Sequence, residues 1–205
     1  MEMLKTLFSR NRSKSKFRKK TLSEIRKILS EFSRKHISIV ECVSKAGPLT
    51  TELIFLNSSV KKEKKGVYDS ILIMVANYYV MLYMDMYTGY YAVSRKHTCN
   101  LVYSLVEEVL KETADKQKVL KSNGSDLAIL KSRDFTLQMV EVYYRAGIEG
   151  CHNYITSSVY SVLLSDNKNL SVKRDHVEFI VRAIQAEKFL TGSFGDVENS
   201  LENTG

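Results

Sequence analysis

The sequence predicts an all-α protein, a bundle of six to eight helices behind a basic, partly disordered N-terminal arm. Three observations carry this. Apolar residues recur every three or four positions through most of the 205 residues. Strand-type alternation is scarce. The single proline, Pro48, leaves long stretches in which helices run unbroken. An apolar content of 44% with 26% charged residues fits a globular chain and excludes full disorder. Nine Gly, one Pro and three Cys exclude collagen-like and disulfide-dense classes.

Met3, Leu4, Leu7 and Phe8 stand at helical spacing, so the first turns are amphipathic. Residues 10–20 are rich in Ser, Lys and Arg without an apolar period, and are expected to be disordered when free. Thr21-Leu22-Ser23-Glu24 matches a capping box, in which hydroxyl and carboxylate satisfy free backbone N–H groups. Leu22, Ile25, Ile28, Leu29, Phe32, His36, Ile39, Val40 and Val43 then predict a helix over 22–45, ended by Gly47-Pro48. Residues 49–56 fit a strand or a helical turn. Residues 57–66 form a polar basic loop, a candidate sub-boundary.

Residues 67–93 are the most apolar segment. A membrane span is disfavoured by Asp85, Thr88 and Gly89 and by Tyr78, Tyr79, Tyr83, Tyr87 and Tyr90. An Asp at mid-bilayer costs roughly 2.5–3.5 kcal/mol. A central helix buried on most sides is the favoured reading. Leu101, Leu105, Val106, Val109 and Leu110 predict a helix over 97–120, followed by a turn at 121–125 and a short helical piece at 126–131. Phe135, Met139, Val140, Val142 and Tyr143 mark a helix ending near Gly147. Cys151, Tyr154, Ile155, Val159, Val162 and Leu163 mark another ending near Asp166. Ser171 caps a last helix with Val177, Ile180, Val181 and Ile184 on one face. The organisation is an arm at 1–20, one helical domain at 21–191, and a disordered tail at 192–205.

Charge is the strongest functional signal. Residues 1–65 hold 17 basic and 6 acidic side chains, and residues 66–205 hold 14 basic and 17 acidic. This asymmetry points to a polyanion, RNA or an anionic membrane surface. The candidate phosphate-binding cations are Lys5, Arg10, Arg12, Lys14, Lys16, Arg18, Lys19, Lys20, Arg26, Lys27, Arg34, Lys35, Lys61, Lys62, Lys64 and Lys65. They supply roughly six to ten phosphate contacts, each releasing counterions on binding. No zinc finger, RNP motif or K homology loop is present, so little base preference is expected. On lipid, Met3, Leu4, Leu7 and Phe8 would enter the interface. Ser9, Ser13 and Ser15 lie among the cations, where phosphorylation would subtract charge.

Eight of the twelve tyrosines fall within residues 68–103. Tyr79, Tyr83 and Tyr87 share a helix face and are candidates for stacking on unpaired bases. The favoured reading is ordinary core packing with the hydroxyl on a partner.

Enzymatic signatures are missing: there is no P-loop, G-x-G-x-x-G, G-x-S-x-G or H-E-x-x-H. His36, His97, His152 and His176 are scattered, and no C-x-x-C pair anchors a zinc site. A Cys151 nucleophile is disfavoured. No catalytic residue, metal or cofactor is expected. Cys42, Cys99 and Cys151 fit buried thiols in a reducing compartment. The opening MEMLKTLFSR lacks the continuous apolar run of a secretory signal.

Met3-Leu4-Lys5-Thr6-Leu7-Phe8-Ser9-Arg10 followed by a Lys/Arg/Ser run resembles the amino ends of rhabdovirus matrix proteins and paramyxovirus C proteins. The resemblance covers about 20 of the 205 residues. Size and helical body are also similar to the C proteins, which are non-enzymatic antagonists of host defence. Matrix proteins usually carry a Pro-rich late-domain motif near the start, and this chain has only Pro48. The low-Pro, Ser/Val/Tyr-rich body resembles small helical suppressors of RNA silencing from filamentous plant viruses. The expectation is a non-enzymatic viral accessory protein that binds RNA without sequence preference and suppresses host RNA sensing or silencing. Its place would be the host cytoplasm, nucleus or membrane periphery. A homo-oligomer built on the Tyr/Met helix, and a host defence protein as partner, belong to the same expectation. The alternative is a matrix or assembly protein that binds anionic lipid through the same arm.

Overall fold

The computed structural model describes residues 2–34, 36–56, 65–88, 94–117, 125–166 and 174–186. Six helices make up this part of the chain: α1 (Glu2–Ser33), α2 (Ile39–Leu56), α3 (Lys65–Thr88), α4 (Arg95–Gln117), α5 (Ser125–Asp166) and α6 (Arg174–Ala186). There is no strand among the described residues, and the all-α expectation holds.

The helix expected over 22–45 is two helices. Cys42 N–H donates to the Ser38 carbonyl at 2.9 Å, and Glu41 N–H to Ser38 Oγ at 3.1 Å. Ser38-Ile39-Val40-Glu41 therefore caps a new helix, α2. Thr21 starts nothing. It lies inside α1, only 4% exposed, and its capping-box pattern is incidental. Gly47-Pro48 does not end α2 either. Pro48 stands inside it, and residues 49–56 continue the helix. Thr51 Oγ1 donates to the Gly47 carbonyl at 2.9 Å on the following turn. A Cβ on Gly47 would lie 3.6 Å from Leu72 Cδ1, so α2 passes close to α3 here.

α3 is the axis of the bundle, with α2, α4 and α5 packed around it; α6 closes on α5 and α2, and α1 lies on α2. Ile71, Leu72, Val75, Ala76, Tyr78, Tyr79, Val80, Met81 and Leu82 of α3 are all buried. Gly66–Asp85, of mean hydropathy 1.3, is long and apolar enough to cross a membrane, and 72% of it is buried within this protein. The central-helix reading accounts for it. Most of its apolar surface is enclosed by its own bundle.

Polar groups inside the core find partners. Thr136 Oγ1 donates to Asn77 Oδ1, Asn77 Nδ2 donates to the Ile73 carbonyl, and Tyr143 OH donates to Asp85 Oδ1 at 2.7 Å. His152 on α5 is fully buried beside Tyr78, whose hydroxyl sits 3.4 Å from Nδ1. Its Nε2 has no partner among the described residues, and neither has Thr156 Oγ1 one turn on.

The sequence places a helix end near Gly147, and α5 breaks there. Gly147 has φ 63° and ψ −163°, a region essentially closed to residues with a Cβ. Nothing lies within 4 Å of where that Cβ would be, so the constraint is purely conformational. Gly147→Ala is expected to destabilise the fold by about 1–3 kcal/mol, read as a lower urea midpoint at unchanged m-value.

Burial, and then the positive charge of Arg182, hold the His152 pKa below its ordinary value, with Glu149 and Glu178 opposing. The folded protein therefore takes up this proton less readily than the unfolded chain. The stability from His152 is complete above about pH 6.5 and is lost as pH falls through that value toward the folded pKa. Urea titrations between pH 7.5 and 5 should show that slope, at most about 1.4 kcal/mol per pH unit. His152→Gln should flatten it. A wild-type curve with no slope here would contradict the neutral, buried imidazole.

Candidate nucleic-acid interface

α1 has two halves with different surroundings. From Thr21 onward it is docked, with Thr21, Ile25, Ile28 and Leu29 at 4%, 2%, 8% and 3% exposure. Before that it runs beyond the body: among residues 14–20 only Arg18 is half-buried and the rest are exposed. The segment 10–20, expected to be disordered when free, has helical backbone here. No Gly or Pro interrupts residues 1–46, and Lys and Arg are good helix formers.

A helix advances about 100° per residue. On that geometry Lys16, Lys19, Lys20, Arg26, Lys27 and Arg34 fall within about 70° of the direction opposite the buried stripe. All six are exposed. Arg34 stands just past α1, its N–H still donating to the Ser30 carbonyl at 3.1 Å. The row from residue 16 to residue 34 is about 27 Å long at 1.5 Å per residue. Lys14 and Arg18 lie on the other side, in line with the buried stripe but beyond the part of the body that covers it. Phe17 is 40% exposed between them.

The body handles its cations differently. Lys45 pairs with Glu41 at 2.7 Å, Lys111 with Glu107 at 2.6 Å and Arg145 with Glu141 at 2.8 Å. Arg182 meets both Glu178 at 3.0 Å and Glu149 at 3.2 Å. On the docked half of α1 Lys27 is 3.9 Å from Glu31. Lys14, Lys16, Lys19, Lys20 and Arg34 have no acid within ion-pair range among the described residues. Exposed Arg133 and Arg174 of the body donate to Tyr103 and Ser157 and not to a carboxylate.

The other nominated cations are not brought into this row by the described structure. Lys5, Arg10 and Arg12 have their backbone in α1, and Lys65 opens α3, but their side chains lie outside the described residues. Lys35, Lys61, Lys62 and Lys64 lie wholly outside them, as does the tail 192–205.

The nominated stacking tyrosines are differently employed. Tyr79 is fully buried, its hydroxyl 3.0 Å from Thr50 Oγ1, so it presents no face to a base. Tyr83 is half-buried and meets Phe32 of α1 edge-on, 6.0 Å between ring centroids. The Tyr87 side chain lies outside the described residues. Tyr79 and Tyr83, on one helix face, are both turned toward the bundle.

Cys151 and His152 do not act on one another. Cys151 Sγ is 3.6 Å from the Met139 carbonyl, and burial pushes its pKa up to about 12. Cys42 is raised in the same way. Both are thiols at neutral pH, not activated nucleophiles.

Comparison with family models, with curated proteins and with solved structures gives no match.

Tyr79→Phe removes the partner of Thr50 and is expected to cost about 1–3 kcal/mol in unfolding free energy, with RNA affinity unchanged. Weaker single-strand RNA binding at full stability would instead make Tyr79 a binding residue.

Proposed function

We propose that this chain binds RNA through the phosphate backbone, in duplex form by preference, on the outer face of α1. The row of exposed cations along one helix carries this reading. Positive charges held at fixed intervals over about 27 Å suit a regular array of phosphates. Duplex RNA is bound largely through phosphates and shape, because side chains cannot read its deep, narrow major groove. Sequence-tolerant single-strand binding leans on aromatic stacking, and Tyr79 and Tyr83 are engaged elsewhere. No chemistry on the RNA is part of the proposal. Coating RNA would hide it from host sensing or silencing, a role in keeping with the small helical suppressors of RNA silencing that the body resembles in composition.

Anionic membrane is the second reading, favoured by exposed Phe17 beside Lys16 and Arg18. An aromatic ring in the lipid interface with cations around it is a recognised anchor.

The deciding experiment is a salt series of gel shifts with duplex and single-stranded RNA of equal length. Lys16, Lys19, Lys20, Arg26 and Lys27 are replaced together by Gln. Duplex affinity should fall steeply with salt, and the variant should lose about 4.5 from the log–log slope with an unaltered melting temperature. An unchanged slope refutes the site. Flotation with phosphatidylserine vesicles, and loss of it in Phe17→Ser with no RNA binding in either protein, would support the membrane reading.

A further inference from the structure

α1 also carries a residue placed to turn its field off. We infer that Ser15 is the phosphate acceptor for a basophilic serine kinase, and that its phosphate releases RNA from α1; this rests on the RNA reading above. Ser15 is exposed. Arg12 stands three residues before it, and Arg18 and Lys19 three and four after.

Position on the helix separates Ser15 from the other serines. Ser23 is also exposed and has Lys19, Lys20, Arg26 and Lys27 at three and four residues on either side. Its neighbours Thr21 and Ile25 are 4% and 2% exposed. A kinase reads its substrate as an extended strand, so modifying Ser23 would require pulling α1 off the core. Around Ser15 no residue from 14 to 20 is buried. This stretch unwinds with loss of local helix only. Arg12 then sits at the position that basophilic kinases read through paired carboxylates. Ser13 has Arg10 three residues before it, but Phe17 occupies the position four residues after, where Ser15 has Lys19.

In the transfer, the γ-phosphoryl group of a nucleoside triphosphate passes to Ser15 Oγ. The new O–P bond forms as the bond from γ-phosphorus to the β,γ-bridging oxygen breaks. The nucleoside diphosphate leaves, and the hydroxyl proton goes to the kinase's catalytic carboxylate. The product carries nearly two negative charges. Once the helix re-forms, residues three and four apart are neighbours, so the phosphate competes with RNA for Lys19 of the outer row. Removing one phosphate contact lowers the association constant roughly 8-fold at 0.1 M salt.

The full chain is incubated with ATP and the calcium/calmodulin-dependent serine kinase, which reads an Arg at the third position before the acceptor. Tandem mass spectrometry should map one phosphate to Ser15, and Ser15→Ala should take up none there. The modified protein should bind duplex RNA roughly 8-fold more weakly at 0.1 M salt, with a salt slope smaller by about 0.9. Kinase treatment should leave RNA binding by Ser15→Ala unchanged. Phosphate on Ser13 or Ser23 with Ser15 untouched overturns the assignment. Binding within twofold of the unmodified protein overturns the release. If the unmodified protein does not bind duplex RNA, the proposed function and the release fail together, and the acceptor assignment is decided by the mapping alone.

Discussion

A helix that is apolar around its whole circumference has to be enclosed, and the enclosure of α3 dictates where the other helices go. Tyr78, Tyr79, Val80, Met81 and Leu82 are consecutive and all buried. Five residues in a row cover more than one helical turn, so along this stretch no side of α3 faces water. α2, α4 and α5 therefore surround it. Enclosure brings polar atoms along, and each unsatisfied one costs about 1–3 kcal/mol. Asn77 reaches Thr136, Tyr79 reaches Thr50, and Tyr143 reaches Asp85. These bonds join α3 to α5 and α2 at defined registers, which apolar contacts alone would leave adjustable. Tyr79, a candidate for base stacking in sequence, is part of this fastening.

With α3 enclosed, α1 is not needed along its full length. It covers α2 with the stripe Thr21, Ile25, Ile28 and Leu29 and touches the axis through Phe32 against Tyr83. Burying side chains of this size contributes about 1.5–3 kcal/mol each, enough to fix the docked half. Of residues 14–20 before it, only Arg18 is half-buried and the others are exposed. Several body cations, by contrast, sit beside carboxylates, as Lys111 does beside Glu107 and Arg145 beside Glu141. Exposed pairs of this kind add little stability, but they cancel the field locally.

The helical periods of α3, α4 and α5 were legible because long apolar runs with spacing of three and four leave few alternatives. The break at Gly147 was legible too, since glycine at the edge of two apolar stripes marks a backbone that others cannot adopt. The division between α1 and α2 was misread. Apolar spacing continues through Ile37, Ile39 and Val40, and it masks the capping box Ser38–Glu41, a signal present in the sequence. Thr21–Glu24 has the same pattern without capping anything, so the motif needs tertiary context to be decided. Pro48 was read as a stop because proline removes one backbone donor. Inside α2 that loss is tolerated while packing against α3 holds both sides of the helix. For the site, the cations were visible as composition, but their alignment was not. It depends on one helix passing unbroken from the exposed segment to the docked one, and no local pattern declares that continuity.

Continuity changes the energetics of binding. A structureless arm loses about 1–2 kcal/mol of backbone entropy for each residue fixed on a partner. A helix seeded by docked residues 21–33 has already met much of that cost and holds its cations at set intervals. It also brings like charges together: Lys16 and Lys19 are three apart, Lys16 and Lys20 four, on neighbouring turns. Such pairs destabilise a helix by a few tenths of a kcal/mol each. A row of phosphates relieves that repulsion, so the polyanion stabilises the helix that presents the charges. By linkage, whatever strengthens the helix before Thr21 tightens the grip on phosphate, and whatever unwinds it loosens that grip. Affinity and local helicity on this stretch are therefore one quantity seen from two sides, which is the physical reason for charges to sit where the fold itself gives the least support.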